Sequence, residues 1–184
     1  FFSADGKSIT WRRFSKDGAT AEIYTMELAS GVERQLTRLG VMSWAPYFHP
    51  SGDYLVFASN REGFANFELF MADAAGRSAP VRVTYTDGFD GLPVFSPDGK
   101  RLSWTSNRTT NRQSQIFIAE WDDAEARRLL GIGDQAAEAG KVTAVDLTPT
   151  DGSIRAADAR LHVEHLSSED MAGRFTGSAG ERAA

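Results

Sequence analysis

Cysteine is absent from the 184 residues. The chain therefore has no disulfide framework and no thiol chemistry, which is compatible with an oxidising compartment. A basic excess is also missing. The formal net charge is −5 and the isoelectric point about 5.2, against the electrostatic footprint of a nucleic-acid binder. No apolar run approaches the length of a membrane span. Histidine occurs only three times, at His49, His162 and His165, which leaves little imidazole for acid–base or metal chemistry. The pattern G-x-S-x-G occurs nowhere, so the chain holds no serine nucleophile of the α/β-hydrolase type.

What is present is a repeat. Phe2-Ser3-Ala4-Asp5-Gly6-Lys7 returns as Phe48-His49-Pro50-Ser51-Gly52-Asp53 and as Phe95-Ser96-Pro97-Asp98-Gly99-Lys100, at offsets of 46 and 47 residues. The same offsets align Ile9, Leu55 and Leu102, then Trp11, Phe57 and Trp104, then Ile23, Leu69 and Ile116. Pro46 matches Pro93, Ser59-Asn60-Arg61 matches Ser106-Asn107-Arg108, and Leu36-Thr37 matches Val83-Thr84. A period of this length means one supersecondary unit stacked several times.

Each unit reads as four short strands. In the middle unit they are Trp44 to Phe48, Tyr54 to Ser59, Phe67 to Ala72 and Val81 to Tyr85. The second strand is largely apolar in both of its alternating sets, the pattern of a strand covered on both faces. The connections are turn chemistry. In Ser96-Pro97-Asp98-Gly99 the proline presets φ for the first corner and the glycine supplies positive φ at the end. Asn60-Arg61-Glu62-Gly63 carries the next hairpin, and Ala75-Gly76 lies in the one after. Four strands per unit with frequent turns describe a β-propeller blade, and the 3.6 period of a helical solenoid is lacking.

These residues resemble the TolB-like propeller repeat, a relative of the WD repeat. The resemblance rests on Val83-Thr84, Pro93, Phe95, Ser96 to Lys100, Leu102 to Thr105, Ser106-Asn107-Arg108 and Ile116-Phe117, and covers residues 1–148. It implies an all-β fold: a partial propeller of about three four-stranded blades, over residues 1–152. Complete propellers carry about 4–8 blades, because closure removes unpaired edges. The expectation is therefore an incomplete ring whose N-terminal blades are missing. Lys141 to Thr148 reads as its final strand, with Pro149-Thr150-Asp151-Gly152 as a late echo of the repeat turn.

After Ser153 the periodicity changes. Leu161, His165 and Leu166 share a helical face, Ser168 to Met171 starts a second helix, and Ser178-Ala179-Gly180-Glu181 fits a capping box. His162-Val163, Leu166-Ser167, Glu169-Asp170, Gly173-Arg174, Thr176-Gly177, Gly180 and Ala183-Ala184 resemble the opening of the co-catalytic di-zinc aminopeptidases. The resemblance implies that residues 153–184 are a short α-helical segment beginning an α/β zinc peptidase domain. That family's zinc ligands and glutamate base lie beyond Ala184. No catalytic, cofactor-binding or metal-binding residue is therefore expected in this chain, and zinc is expected only in a longer parent.

Several motifs carry bland readings. His162 and His165 stand three apart around Glu164, but no third ligand of matching geometry is evident. His49 holds the turn position of Ser3 and Ser96, which makes it a turn residue. Gly131-Ile132-Gly133-Asp134-Gln135-Ala136 matches G-x-G-x-x-A without a βαβ unit around it, and the segment before it reads as the fourth strand of a blade. Asn107-Arg108-Thr109 is a glycosylation sequon that coincides with the repeat's own hairpin. Asp87, Asp90 and Asp134 read as solvated loop acids between one blade and the next, at an end where binding surfaces form.

Three functional readings follow. The first is part of a periplasmic or secreted zinc aminopeptidase whose propeller screens peptides or holds a peptide or protein ligand. The second is a TolB-type interaction propeller without catalysis. The third is the propeller of a prolyl-oligopeptidase-like serine peptidase. None includes a nucleic-acid partner or a membrane span.

Overall fold

A computed structural model describes residues 1–133. The expected strand Lys141 to Thr148, the helices after Ser153, Asp134, His162 and His165 lie outside the described residues. The strands are β1 (Ser8–Phe14), β2 (Ala21–Glu27), β3 (Glu33–Gln35), β4 (Ser43–Phe48), β5 (Tyr54–Ser59), β6 (Glu68–Asp73), β7 (Val81–Arg82), β8 (Asp90–Phe95), β9 (Arg101–Ser106) and β10 (Gln115–Glu120), followed by helix α1 (Asp123–Leu130). They form three antiparallel sheets in the orders β1-β2-β3, β4-β5-β6-β7 and β8-β9-β10. Each sheet is one unit of the repeat, and the middle one has the four strands expected. In the first, Phe2 bridges Ile9 at the place of an inner strand.

The repeated turns form as their residues require. The amides of Gly6, Gly52 and Gly99 donate to the carbonyls of Ser3, His49 and Ser96 at 2.9 Å. Gly52 and Gly99 have φ of 80° and 71°, the left-handed region that glycine enters without a Cβ penalty. The matched prolines also find a reason. Pro46 and Pro93 lie within register shifts of the β4–β5 and β8–β9 pairs, Trp44 to Tyr47 and Gly91 to Val94. A bulge leaves a residue unpaired, so the missing proline amide costs no ladder bond.

The blades stack face to face. All residues of β5 and β6 are buried, because the middle sheet is covered on both sides. Toward the first blade, Phe48, Leu55, Phe57, Phe70 and Ala72 pack with Ile23 and Leu36. Toward the third, Tyr54, Val56, Ala58, Leu69 and Met71 pack with Phe95, Leu102 and Trp104. The period-2 alternation of one strand thus divides its side chains between two interfaces.

The Leu-Thr element has a structural explanation. The hydroxyls of Thr37 and Thr84 accept from the amides of Ile23 and Leu69 at 2.8 and 2.9 Å. They donate to the carboxylates of Glu22 and Glu68. Glu68 is wholly buried and is also bonded by Arg82 at 2.9 Å. Each threonine thus stitches its loop to the third strand of its own blade.

One expectation fails. The segment ahead of Gly131 is a helix, not the fourth strand of the third blade. Asp122 caps it by accepting from the Glu125 amide at 3.0 Å. Asp123 and Glu125 lie in its first turn, Arg127 and Arg128 in its last, which complements the helix dipole. Gly131, at φ 67°, donates to Arg128 while Ile132 donates to Arg127, closing a Schellman motif. Ala126 and Leu130, one turn apart, bury against the interface of the second and third blades. The G-x-G of Gly131 to Gly133 is therefore a helix stop.

Candidate interaction surface

The hairpin turns after the inner strands gather matched positions of the three units. Phe2, Phe48 and Phe95, the last aromatics of that register, meet Ala4, Pro50 and Pro97 from the turns around a cavity of about 230 Å³, with Tyr47 and Ser96 completing the wall. Phe48 and Phe95 are buried and form its floor, whereas Ala4, Pro97 and Phe2 are exposed at its rim. No charged residue lines it. A concave apolar mouth of this kind suits an apolar or aromatic group of a partner. A second groove, of about 320 Å³, runs between the second and third blades past Val83, Tyr85, Leu102, Trp104 and Trp121.

Behind the mouth lies a polar cluster that the repeat did not announce. The Trp121 indole donates to the Tyr54 hydroxyl at 2.8 Å, which donates to Asp123 at 2.7 Å. Arg127 bonds Asp123 at 2.8 Å and Asp53 at 2.7 Å, fastening α1 to the β4–β5 turn. Burial pushes the Tyr54 phenol well above its ordinary value, and the Asp123 bond adds to that. For Asp123 burial acts upward, but hydrogen bonds from Arg127 and Tyr54 overcome it and hold the carboxyl below its ordinary range. The cluster's visible sequence signal is Asp123 four residues before Arg127, an ion-pair spacing on a helix.

His49 is a turn residue, as its register position indicates, and it is also buried, at 6% exposure. Its ring stacks on Tyr54 at 4.6 Å and meets the edge of Phe95 at 4.9 Å. Burial lowers its pKa below the ordinary 6.5, against the opposing effects of Asp123 and the Gly99 carbonyl.

At the other end of the blades, Asn60 and Asn107 accept from the amides of Met42 and Phe89 at 2.9 and 2.8 Å. The Ser-Asn-Arg element thereby anchors the chain as it enters the first strand of the same unit, and the sequon asparagine is part of that anchor. Asp90 departs from its reading as a solvated acid. It begins β8, is 1% exposed, and is bonded by Arg108 at 2.7 Å. The guanidinium lets a carboxylate occupy a place that Ser43 takes in the preceding unit. Asp87 is exposed, and its carbonyl accepts from Arg112 at 2.9 Å.

Among the described residues no group of three or more histidine, aspartate or glutamate side chains could hold a metal ion. His49, their one histidine, has both ring nitrogens engaged. The described residues do not fit a zinc centre. No helix among them is long and apolar enough to cross a membrane.

The profile of the TolB beta propeller domain matches residues 1–160. A protein of Agrobacterium fabrum is 30% identical over 105 residues, covering 57% of this chain and 34% of that protein. Among solved structures, a TolB-type protein of Agrobacterium tumefaciens superposes with a TM-score of 0.56 at 26% identity, covering 65% of this chain and 43% of the other. TolB of Acinetobacter baumannii gives 0.55 at 28% identity, over 66% of this chain and 29% of that one. The chain thus spans about a third of the length of the curated relative.

Proposed function

Because this chain belongs to the TolB beta propeller family, we propose that it is a protein-interaction propeller that takes a peptide or protein ligand at the mouth of its inner strands. The observation that carries this reading is the apolar cavity lined by one register of all three units, Phe2 with Phe48 and Phe95, and Ala4 with Pro50 and Pro97. Apolar floors with exposed rims are where binding energy concentrates in protein interfaces. The partner is an extracytoplasmic peptide or protein, in a periplasmic or secreted setting. The test is selection of displayed peptides on the whole chain. Selected peptides should carry aromatic or aliphatic residues and bind at least about tenfold more weakly to Phe2→Asp and Pro97→Asp, both rim positions. Peptides indifferent to both substitutions would move the function to another surface.

A second reading concerns the parent protein. His162-Val163, Gly173-Arg174 and Thr176-Gly177 stand in the order of a di-zinc aminopeptidase opening. That order supports a parent in which the propeller screens or presents peptides for a zinc peptidase domain. Zinc and the catalytic carboxylates would then come from residues after Ala184. A downstream sequence without a His-x-Asp pair and a Glu-Glu pair would remove this reading and leave the first intact.

A further inference from the structure

Position 49 is where the repeated turn changes its chemistry. In three turns a serine closes the hairpin. Ser3, Ser15 and Ser96 each accept the amide of the residue five further on, Ser8, Thr20 and Arg101, at 2.9, 3.1 and 3.0 Å. Each donates its hydroxyl to the aspartate two further on, Asp5, Asp17 and Asp98, at 2.6, 2.6 and 2.5 Å. A serine hydroxyl serves as donor and acceptor at any ordinary pH.

In the second blade His49 closes the turn differently, bonding through an imidazole to the residue two further on rather than five. Its Nδ1 accepts the Ser51 amide at 3.2 Å and lies 3.0 Å from the Ser51 hydroxyl. Its Nε2 lies 3.3 Å from the Gly99 carbonyl oxygen on the third blade. A backbone amide can only donate and a carbonyl can only accept. These partners assign the neutral ring with its proton on Nε2. One residue therefore ties its own turn and the next blade together; the Nε2 bond to Gly99 survives protonation, but the Nδ1 bond within the turn needs the uncharged ring.

We infer that His49 is an acid-sensitive latch of the β4–β5 turn, on which the mouth wall and helix α1 rest. A proton on Nδ1 converts the acceptor of the Ser51 amide into a second donor facing it, so the turn from His49 to Gly52 has to rearrange. Pro50, on that turn, forms part of the mouth wall. Asp53, just after it, holds Arg127 of α1. The groups facing the ring are few. Helix α1 presents Asp123, 3.7 Å from Nδ1, and Arg127. The β4–β5 turn brings Asp53, β5 brings the Tyr54 ring, and the β8–β9 turn contributes the Gly99 carbonyl. The Ser51 hydroxyl, 3.0 Å from Nδ1, can accept the new donor only by turning its own proton away, and Asp123 is the carboxylate nearest to the ring, its Oδ1 already accepting from Tyr54. Capturing the charged ring would compete with that bond and disturb the seat of α1.

The direction follows from burial, which keeps the folded ring's pKa below 6.5. The unfolded chain takes the proton first as pH falls. The stability that neutral His49 contributes is present above pH 6.5 and is lost as pH drops through the lower folded value.

Proton NMR of the whole chain resolves the three histidines, and the His49 signal is the one lost in His49→Ser. Its midpoint should lie below 6.5, and tryptophan fluorescence, reporting Trp121 beside Tyr54, should change with the same midpoint. His49→Ser restores the side chain of the other turns and should abolish that fluorescence step. Asp123→Asn keeps an acceptor for Tyr54 but removes the charge that favours the protonated ring, so it should move the midpoint further down. A His49 midpoint at or above 6.5, a fluorescence step that survives in His49→Ser, or a midpoint unmoved by Asp123→Asn would each overturn the inference. If the serine variant does not fold, nuclear Overhauser contacts to the Tyr54 and Phe95 rings assign the His49 signal and the Asp123→Asn arm decides.

Discussion

The Gly99 carbonyl oxygen lies 3.3 Å from Nε2 of His49, and a Cβ placed on Gly99 would come within 2.5 Å of that same atom. Gly99 is therefore constrained twice, by its φ of 71° and by the imidazole of the neighbouring blade. Gly6 has the matched position and φ of 68°, but nothing lies within 4 Å of its absent Cβ. Gly99→Ala should cost about 1–3 kcal/mol from backbone strain plus displacement of the ring. Gly6→Ala should cost less, because only the backbone contributes. Urea unfolding of the two variants checks the order, and equal losses would mean that the His49 contact contributes nothing.

Threonines 37 and 84 should respond alike. Replacing either by valine leaves a strand amide without its acceptor and a glutamate without one of its donors. A loss of about 1–3 kcal/mol is expected at each site. Thr84→Val should be the worse of the two, because Glu68 is wholly buried. Thermal or chemical denaturation measures both. A neutral Thr84→Val would show that Arg82 alone satisfies Glu68.

The cluster at α1 should fail in acid. Asp123 is held below the ordinary carboxyl value of 3.8. Its contribution is therefore present above 3.8 and is lost as pH falls through the lower folded value. Tyr54→Phe removes both the bond to Asp123 and the acceptor of Trp121. It should cost about 1–2 kcal/mol at neutral pH and reduce the acid-dependent part. A stability–pH profile between 5 and 2.5, run on both proteins, checks this. Parallel profiles would remove Asp123 as the titrating group.

Strand β10 presents Ile116 and Ile118 at 78% and 67% exposure. In the middle unit the matched Leu69 and Met71 are at most 2% exposed. Ile116→Thr with Ile118→Thr keeps β-branched residues suited to a strand while removing apolar surface. The pair should lower binding of an apolar-surface dye and self-association without reducing the melting temperature. A large drop in melting temperature would mean that these side chains are packed in solution.

The blade was legible in the sequence because its determinants are local. Gly52 and Gly99 take positive φ since their turns close within a few residues, and the alternation along β5 needs only the pleat. A repeated register then copies each local solution at a known spacing, so a single reading of the middle unit transfers to its neighbours. Helix α1 escaped that logic. Its capping residues Asp122 and Gly131 were visible, but the expectation of a fourth strand rested on the repeat, which stops applying there. Asp90 was misread because proximity of a loop and a count of charges cannot reveal that Arg108, in the β9–β10 hairpin of the same blade, would reach it at 2.7 Å.

The sequence by itself determined the unit: four strands, their turns, the two faces of each strand, and the position of His49 in a turn. Only the tertiary structure decided what those units do to one another. It brought Asp53, Tyr54, Trp121, Asp123 and Arg127 together across as many as 74 residues, and it placed the His49 ring against a carbonyl 50 residues away. The mouth formed by Phe2, Phe48 and Phe95 belongs to the same level. Turn geometry and strand period are fixed by neighbouring backbone sterics. Contacts between blades depend instead on which side chains the stacking brings within a few ångströms, a relation that no local pattern encodes.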